Sequence, residues 1–222
     1  MQHFSSMSFT PHPSVERVLT LEGPAADRAY QAVLDAIAAG SAPAGTLLTE
    51  GEVAEAIGMS RTPVREAFLR LSTEGLLELY PKRGAVVTAP SQDEVDQLLQ
   101  VRSMFEKSAV EWMAARGVPD GLESTLRGHI AAQMAAAETL DFARSDRDLH
   151  EAIVAAGGNS IATALFVQTG PRLLRYWHTA AQVPDVSARF AAEHGELVER
   201  VLAGDATGFA ASLDHHLAGA RP

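Results

Sequence analysis

The chain has no cysteine among its 222 residues. Disulfide bonds and thiolate metal sites are therefore excluded, and a reducing cytoplasm is the compartment we expect. Aromatic residues make up only 6% of the chain and alanine is frequent, which favours helices over strands. No apolar run approaches the roughly 18–20 residues of a membrane span, and residues 1–13 lack the pattern of a signal peptide. We therefore expect no membrane partner.

The distribution of charge is uneven along the chain. The net charge is −10, which argues against non-specific nucleic-acid binding by the whole surface. Residues 61–83 nevertheless contain five basic and three acidic residues, whereas residues 91–222 contain 11 basic and 18 acidic residues. The chain thus has one short basic stretch, and a protein that reads DNA requires only a local basic face.

Three short helices are predicted in the first part of the chain. Apolar residues at helical spacing cover 26–39. Thr49 and Glu52 form a capping box that begins a second helix. After a tight turn, Ser60 or Thr62 is expected to cap a third helix, whose apolar stripe predicts a buried face.

A β-hairpin is predicted after these helices. Leu77 and Leu79 alternate with polar neighbours, and residues 85–88 return after a tip that contains glycine. The order of helices and hairpin is that of a winged helix-turn-helix. We expect this domain at residues 25–88, behind a flexible tail of residues 1–24.

The predicted third helix presents basic side chains opposite its apolar stripe. Arg61 and Arg65 lie one turn apart, and side chains of this kind reach guanine edges in the major groove. The pair alone is also compatible with a solvated helix face, but the whole ordered pattern favours DNA. We expect DNA contacts from Arg61, Thr62, Arg65 and Arg70 on the helix, and from Lys82, Arg83 and Gly84 at the hairpin tip.

Beyond a linker at residues 89–92, capping residues, glycine and proline mark the ends of successive segments. All of these segments are predicted to be helices. The mainly α protein would then end in an antiparallel bundle, forming a second domain at residues 93–222. We place its six helices near residues 91–116, 120–141, 143–156, 160–182, 187–203 and 206–219.

Charged and imidazole side chains fall on the inward stripes of these helices, where such groups are rare without a partner. Asp146 and His150 lie one helical turn apart, so both can bind one ion. With His194 and His216 they form a set of one oxygen and three nitrogens. This set suits a divalent metal, with zinc preferred and nickel or manganese as alternatives.

A small organic acid is the effector that we expect for this domain. Arg102 lies on an inward stripe and can bind a carboxylate with two parallel hydrogen bonds. Arg172 and Asn159 are weaker candidates for effector contacts. As an alternative, the histidines bind the acid directly, without a metal. The roles of the other histidines stay open: His129, His178 and His215.

Residues 55–71 resemble the DNA-binding domain of GntR-family regulators, as do Glu74-Gly75-Leu76-Leu77 and Pro81-Lys82-Arg83-Gly84. The resemblance covers residues 26–88. It implies that the helix residues 61, 62 and 65 and the Gly84 wing tip contact DNA. Gly51 departs from the pattern of those members that carry an arginine there, so that contact should be missing.

The second half resembles the FCD domain of FadR-type GntR regulators. The resemblance rests on Arg102 with Glu106, Asp146-Arg147-Asp148-Leu149-His150, Gly158-Asn159, Glu193-His194, Gly204-Asp205 and His216-Leu217. It implies homodimers, small carboxylate effectors, and a metal at the Asp146, His150, His194 and His216 positions. Leu149 stands where an aromatic residue is usual, and six helices suggest the VanR-like subgroup.

These expectations combine into a cytoplasmic, homodimeric repressor. It would read a palindromic double-stranded operator, and an organic acid bound at a metal would control its affinity. A metal-dependent hydrolase is the distant alternative, because an Asp-His₃ site can activate water. The familiar hydrolase and phosphate-loop motifs are absent from the sequence, which argues against an enzyme.

Overall fold

A computed structural model describes residues 9, 11, 13, 22–136, 139–180 and 186–220, without the side chains of residues 177–180 and 186. The predicted tail at residues 1–24 and the side chain of His178 therefore lie almost entirely outside the described residues. The chain forms two compact units that divide after Pro90.

Three helices and a small sheet form the first unit. The helices are α1 (Ala25–Ala38), α2 (Glu50–Ala56) and α3 (Arg61–Thr73). At the start of α2, the Glu52 amide donates to the Thr49 hydroxyl oxygen at 3.2 Å, as the capping pattern predicts. Ser60 precedes α3 without a side-chain capping bond. Apolar side chains of all three helices form the core of the unit.

The sheet consists of three strands: β1 (Leu47–Leu48), β2 (Leu77–Tyr80) and β3 (Gly84–Val87). Their order is β1-β3-β2, and neighbouring strands are antiparallel. The predicted hairpin is formed by β2 and β3. Sequence reasoning missed β1, because two residues are too short to show a period of two. Three helices and this sheet confirm the predicted winged helix-turn-helix.

The second unit is helical throughout its described residues, which confirms the predicted bundle. Ser91 caps its first helix by accepting a hydrogen bond from the Glu94 amide at 3.1 Å. The helices are α4 (Gln92–Arg116), α5 (Leu122–Ala135), α6 (Thr139–Ala156), α7 (Ser160–Val167), α8 (Gly170–Ala180), α9 (Val186–Leu202) and α10 (Ala206–Gly219).

Two predicted boundaries in the bundle are wrong. The helix expected at 160–182 breaks after Val167, because Pro171 has no amide hydrogen for the next helical bond and instead suits a new first turn. The helix expected at 120–141 ends at Ala135, since Ala136 is extended. The described bundle therefore has seven helical segments, and the six-helix argument for the VanR-like subgroup does not hold.

None of the described helices is long and apolar enough to cross a membrane. The core of the bundle is formed mainly by leucine, valine and phenylalanine side chains from α4, α6, α9 and α10. A group of charged and imidazole side chains from these four helices is buried in the same interior, together with the amide of Gln133 on α5.

Candidate metal centre and DNA-reading face

Four candidate metal ligands meet in the interior of the bundle. Asp146 and His150 project from α6, His194 from α9 and His216 from α10. Each is at least 99% buried, and their ligand atoms lie within 4.8 Å of one another. The helical spacing predicted this convergence, because each residue occupies the inward stripe of its helix.

Each of the three imidazole rings turns its Nε2 atom toward a common centre. His194 Nε2 lies 3.2 Å from His150 Nε2 and 3.3 Å from His216 Nε2. It also lies 3.1 Å from Asp146 Oδ1. Nitrogens bound to one ion at about 2.1 Å, in tetrahedral or octahedral geometry, lie roughly 3.0–3.4 Å apart. The three distances from His194 Nε2 therefore fit a common ion, whereas the 3.8 Å between His150 Nε2 and Asp146 Oδ1 would have to shorten slightly when an ion binds.

The outer nitrogen of each ring has its own oxygen partner. His150 Nδ1 lies 2.6 Å from Glu106 Oε2, and His216 Nδ1 lies 2.8 Å from Glu193 Oε2. His194 Nδ1 lies 2.8 Å from Gln133 Oε1. These oxygens accept, so each Nδ1 carries the hydrogen and each neutral ring turns its Nε2 lone pair inward.

Burial keeps two of the rings neutral. It lowers the pKa of His216 to about 3, although the hydrogen bond to Glu193 acts in the opposite direction. Burial and the nearby Arg102 guanidinium also lower the pKa of His150 well below its ordinary value. Neutral imidazole is the form that binds metals, so both rings are ready ligands at neutral pH.

The carboxylate of the set is held in its charged form. Burial acts to raise the pKa of Asp146, but the Arg102 guanidinium is the largest opposing influence, and the pKa lies well below its usual range. Asp146 Oδ1 is buried and lacks a hydrogen bond of good geometry among the described residues. Oxygen and nitrogen lone pairs thus face one another with no donor between them, which is the arrangement that a cation satisfies.

Arg102 lies beside the four ligands and is 2% exposed. Its Nε donates to Glu106 Oε1 at 3.0 Å, and its Nη2 lies 3.5 Å from Asp146 Oδ2. Nη2 has no hydrogen-bond partner among the described residues. Burial raises the pKa of Glu106 to about 7, although Arg102 acts to lower it.

A narrow pocket opens beside these groups, between α4, α6 and the region around the α7–α8 break. The polar part of its lining comes from Arg102, Asp146 and His150, with Arg147 and Glu151 beside them. The rest of the lining is formed by Phe166, Thr169, Gly170, Leu173 and Leu174. Its free space is about 10 Å³, close to the room that one water molecule needs. A larger ligand must therefore displace some of the lining side chains.

The other candidate effector residues lie elsewhere. Asn159 caps α7 by accepting from the Ala162 amide at 3.1 Å, and it is exposed. Arg172 is on α8 but does not line the pocket. His215 is 81% exposed in its side chain, and His129 contributes its carbonyl oxygen to the Ser145 hydroxyl at 2.8 Å.

Two members of the site were not identified as functional by residue spacing. Gln133 is 3% exposed and holds His194, but a single glutamine on a helix belongs to no motif. Glu106 was noted only within the FCD resemblance. Its spacing of four residues from Arg102 is a signal that could have identified it as a partner.

Five of the seven predicted DNA contacts line one depression of the first unit. A depression of about 560 Å³ lies between the start of α2, the exposed side of α3 and the hairpin tip. Four exposed basic side chains line it: Arg61, Arg65, Lys82 and Arg83. Gly84 also lines it, next to the hairpin tip. Thr62 is exposed at the start of α3 but outside this depression.

Arg70 belongs to a different surface. Its guanidinium carbon lies 3.9 Å from the centre of the Tyr30 ring, and its nitrogens lie 3.0 Å from Asp27 Oδ1 and 3.5 Å from Glu74 Oε1. These partners come from α1 and the end of α3, so Arg70 joins these helices. Its charge alone had suggested DNA, because the sequence does not reveal its partners.

Two contacts join the start of α2 to arginines of α3. Gly51 lies against the Arg61 guanidinium, so that an added Cβ would come within 3.3 Å of Nη2. Glu50 Oε1 lies 3.2 Å from Arg65 Nε, although the Arg65 side chain stays 72% exposed. Arg61 and Arg65 therefore both lean toward the first turn of α2.

Comparison with known families gives two matches along the chain. Residues 25–87 match the model of bacterial regulatory proteins of the gntR family, and residues 97–219 match the FCD domain. Two solved structures share the fold, each with a TM-score of 0.75. They are E. coli McbR/YncC, 21% identical over 89% of this chain and 95% of that chain, and a GntR structure from Rhodococcus sp. RHA1, 20% identical over 88% and 95%.

Among curated relatives, an HTH-type transcriptional regulator in the TAR-I ttuE-ttuC' intergenic region of Agrobacterium vitis is 36% identical over 132 residues, which are 57% of this chain and 77% of the relative. The "Probable D-xylose utilization operon transcriptional repressor" of Paenarthrobacter nicotinovorans is 31% identical over 190 residues, 84% of this chain and 82% of the relative. These relatives are regulators and not enzymes, which argues decisively against the hydrolase alternative. The chain belongs to the GntR family of bacterial regulatory proteins and carries an FCD domain behind its winged helix-turn-helix.

Proposed function

We propose that this regulator is a homodimeric repressor whose affinity for a palindromic operator is controlled by a small carboxylate bound at a divalent metal. The observation that carries the proposal is the convergence of four buried acceptor atoms, with each outer imidazole nitrogen engaged elsewhere. Repression, as opposed to activation, is supported by the description of the Paenarthrobacter relative as a repressor.

For operator binding, we assign base contacts to Arg61 and Arg65, and phosphate contacts to Thr62, Lys82 and Arg83. The four basic side chains of this set share one exposed depression, and this supports their joint use. Gly84 has no side chain, so it lets the hairpin backbone come close to the DNA. Arg70 is left out because Tyr30, Asp27 and Glu74 engage its guanidinium.

For the metal, we assign Asp146, His150, His194 and His216 as ligands of zinc, with nickel or manganese as further candidates. The donor set of one carboxylate and three imidazoles suits these ions. When bound, the ion supplies positive charge and an open coordination position for an oxyanion.

For the effector, the charges around the pocket favour a small anion. The buried Arg102 Nη2 lacks a hydrogen-bond partner and borders the same pocket as Asp146 and His150. Two cationic and two anionic side chains line this pocket, so a divalent ion at the metal site would make its lining positive. A carboxylate can therefore accept from Arg102 while it faces the ion.

For the dimer, we propose a second copy of the chain on an exposed apolar surface of α4 and α7. Met104 is 68% exposed, Ile161 73%, Leu165 51% and Val167 43%, although all are large apolar residues. Contiguous exposed apolar residues mark interaction sites. GntR regulators generally act as dimers, and this surface can supply the apolar centre of such an interface.

Elemental analysis of the untagged protein tests the metal directly. We expect about one divalent ion per chain in the wild type and its loss in the His150→Ala/His194→Ala double variant. Metal-free wild-type protein that still responds to its effector would establish the alternative, in which the histidines bind the acid directly.

Operator binding is tested with a duplex selected from a random pool by the wild-type protein. The Arg61→Ala/Arg65→Ala variant should bind this duplex more weakly by roughly 1–3 kcal/mol per lost base contact. Arg116→Ala, which changes an exposed arginine of the second unit, is the matched control. Equal binding by wild type and the double variant would overturn the assignment of α3.

A further inference from the structure

Glu106 is the buried carboxylate whose two oxygens serve two different partners. It is fully buried on α4. Oε1 accepts from Arg102 Nε at 3.0 Å, and Oε2 accepts from His150 Nδ1 at 2.6 Å. One side chain thus contacts both the arginine assigned to the effector and a histidine assigned to the metal.

The other two outer acceptors serve one ring each. Gln133 Oε1 holds His194 Nδ1, and Glu193 Oε2 holds His216 Nδ1. Glu193 is also more accessible, with 16% of its side chain exposed. Neither residue contacts Arg102 in the described hydrogen bonds, so Glu106 has a role that its counterparts do not share.

We propose that Glu106 is the positioning residue that fixes His150 and Arg102 together, so that the metal subsite and the carboxylate subsite are built as one unit. The inference rests on the proposed metal and effector sites. Its bond to Nδ1 fixes the His150 ring with Nε2 inward. Its bond to Nε fixes the guanidinium while Nη2 stays available in the pocket.

The chemistry of the carboxylate makes this role hard to replace. A glutamine has one acceptor oxygen and one donor amide, whereas Arg102 Nε and His150 Nδ1 both donate. In Glu106→Gln, the single oxygen can serve only one of them, and the other donor meets the amide hydrogens. Glu193→Gln is the matched control, because its remaining oxygen still serves His216. The pair lost at Oε1, with Arg189 Nε at 3.5 Å, involves an arginine that is half exposed and can turn to water.

Zinc affinity, measured by competition with a chromophoric chelator, tests the inference. We expect Glu106→Gln to weaken zinc binding by roughly 10–100-fold, and Glu193→Gln to weaken it clearly less. The visible spectrum of bound Co²⁺ gives a second readout. It should change in Glu106→Gln, because the His150 ligand is reoriented, and should stay close to wild type in Glu193→Gln.

A double variant separates positioning from general damage to the fold. In Arg102→Met/Glu106→Gln, the glutamine oxygen has only His150 to serve, so zinc affinity should recover at least severalfold over Glu106→Gln. A mere structural defect would not be repaired by a second core substitution. If Glu106→Gln does not fold, recovery of zinc binding by this double variant toward wild type is the deciding measurement.

Failure of this inference differs from failure of the proposed function. A wild-type protein that binds neither Zn²⁺ nor Co²⁺ would overturn the metal site itself. A wild-type protein that binds zinc, with Glu106→Gln within threefold of it and an unchanged Co²⁺ spectrum, would overturn only the role of Glu106. An affinity that does not recover in the double variant would overturn it as well.

Discussion

At the scale of single residues, the buried histidines matter through their protonation. His216 has a pKa of about 3 and His150 a pKa well below 6.5, whereas Glu106 has a pKa raised to about 7. The folded protein therefore keeps His150 and His216 neutral under conditions in which an unfolded chain would protonate them. The folded state should consequently lose stability in acid.

The metal-free protein should become less stable as the pH falls from 6.5 toward 4.5. Both rings have folded pKa values below their unfolded values, so their contribution is present above pH 6.5 and is lost as the pH falls. Glu106 acts in the opposite direction, since its raised pKa gives a gain between pH 7 and 4.5. Two rings against one carboxyl leave a net loss of roughly 1 kcal/mol per pH unit.

Urea unfolding with a chelator present, at several pH values in this window, checks the prediction. His216→Gln removes one of the titrating rings, so its stability should depend less on pH than that of the wild type. A wild-type midpoint that stays constant between pH 6.5 and 5 would contradict the assignment of neutral buried rings.

Gly84 is a second residue whose role follows from its surroundings. Its φ is 122°, and an added Cβ would lie 2.2 Å from the Leu48 carbonyl oxygen of β1. Gly84→Ala should therefore destabilise the protein by about 2 kcal/mol or more, because strain and a backbone clash combine. Thermal unfolding measures this.

Gly45→Ala is the control for Gly84→Ala, because its φ is 86° but nothing lies within 4 Å of an added Cβ. It should cost only the backbone strain, roughly 1 kcal/mol. If both variants lose the same stability, the close contact between Gly84 and β1 adds nothing to the cost of the Gly84→Ala substitution.

Sequence reasoning reached some of these residues and missed others for a physical reason. The inward positions of Asp146, His150, His194 and His216 follow from helical periodicity, which is a local property. Gln133 depends on a partner 61 residues away in sequence, so no local pattern reveals it. The partners of Arg70 escape local patterns in the same way, because its acidic and aromatic partners on α1 are remote in sequence.

At the scale of helices and strands, periodicity predicted the elements better than their ends. The α7–α8 break at residues 168–169 falls inside a continuous apolar pattern, and only Gly170-Pro171 marks it. The break matters because α8 lines the pocket with Leu173 and Leu174, and its next residue, Arg175, contacts α4.

The Arg175–Glu94 pair joins α8 to the first turn of α4. Arg175 is 4% exposed in its side chain, and its Nη2 donates to both oxygens of Glu94 at 3.0 Å. Glu94→Ala removes this carboxylate from a buried guanidinium, so we expect a loss of about 2 kcal/mol in urea unfolding. The estimate is below that for a fully buried pair, because Glu94 is partly exposed.

Glu123→Ala is the comparison for Glu94→Ala. Glu123 pairs with Arg127 on α5 at 2.9 Å, but both side chains are more than half exposed. Its loss should cost less than about 0.5 kcal/mol. If the two variants lose the same stability, the ion pair does not hold α8 against α4.

At the scale of the whole molecule, an acidic protein carries a basic DNA-reading face on its first unit. The net charge of −10 keeps the remaining surface unfavourable for DNA. The winged helix-turn-helix and the helical bundle were both predictable from the sequence, because their motifs are local. The apolar surface that we propose for a dimer was not, since exposure of an apolar residue is known only once the helices are packed.

Ile161→Glu/Leu165→Glu should convert the dimer into a monomer. The substitutions place two carboxylates on the apolar surface of α7, where the partner would have to desolvate them. Sedimentation equilibrium at micromolar concentration measures the mass, and operator affinity should fall with it because one half-site is lost.

Met134→Glu controls for the added charge in this test. Met134 is 77% exposed on α5 and does not belong to the proposed surface. This variant should keep the mass of the wild type. A dimeric Ile161→Glu/Leu165→Glu protein would move the interface to another surface.

The convergence of ligands from α6, α9 and α10 has a consequence for a polypeptide without cysteine. Asp146 and His216 are about seventy positions apart, so an ion held by both would close a long loop of chain. Such a closure restricts the unfolded ensemble as a disulfide does, but it needs no oxidant and is reversed by a chelator. Metal supply would then determine how long the sensor half survives proteolysis, as well as what it can sense.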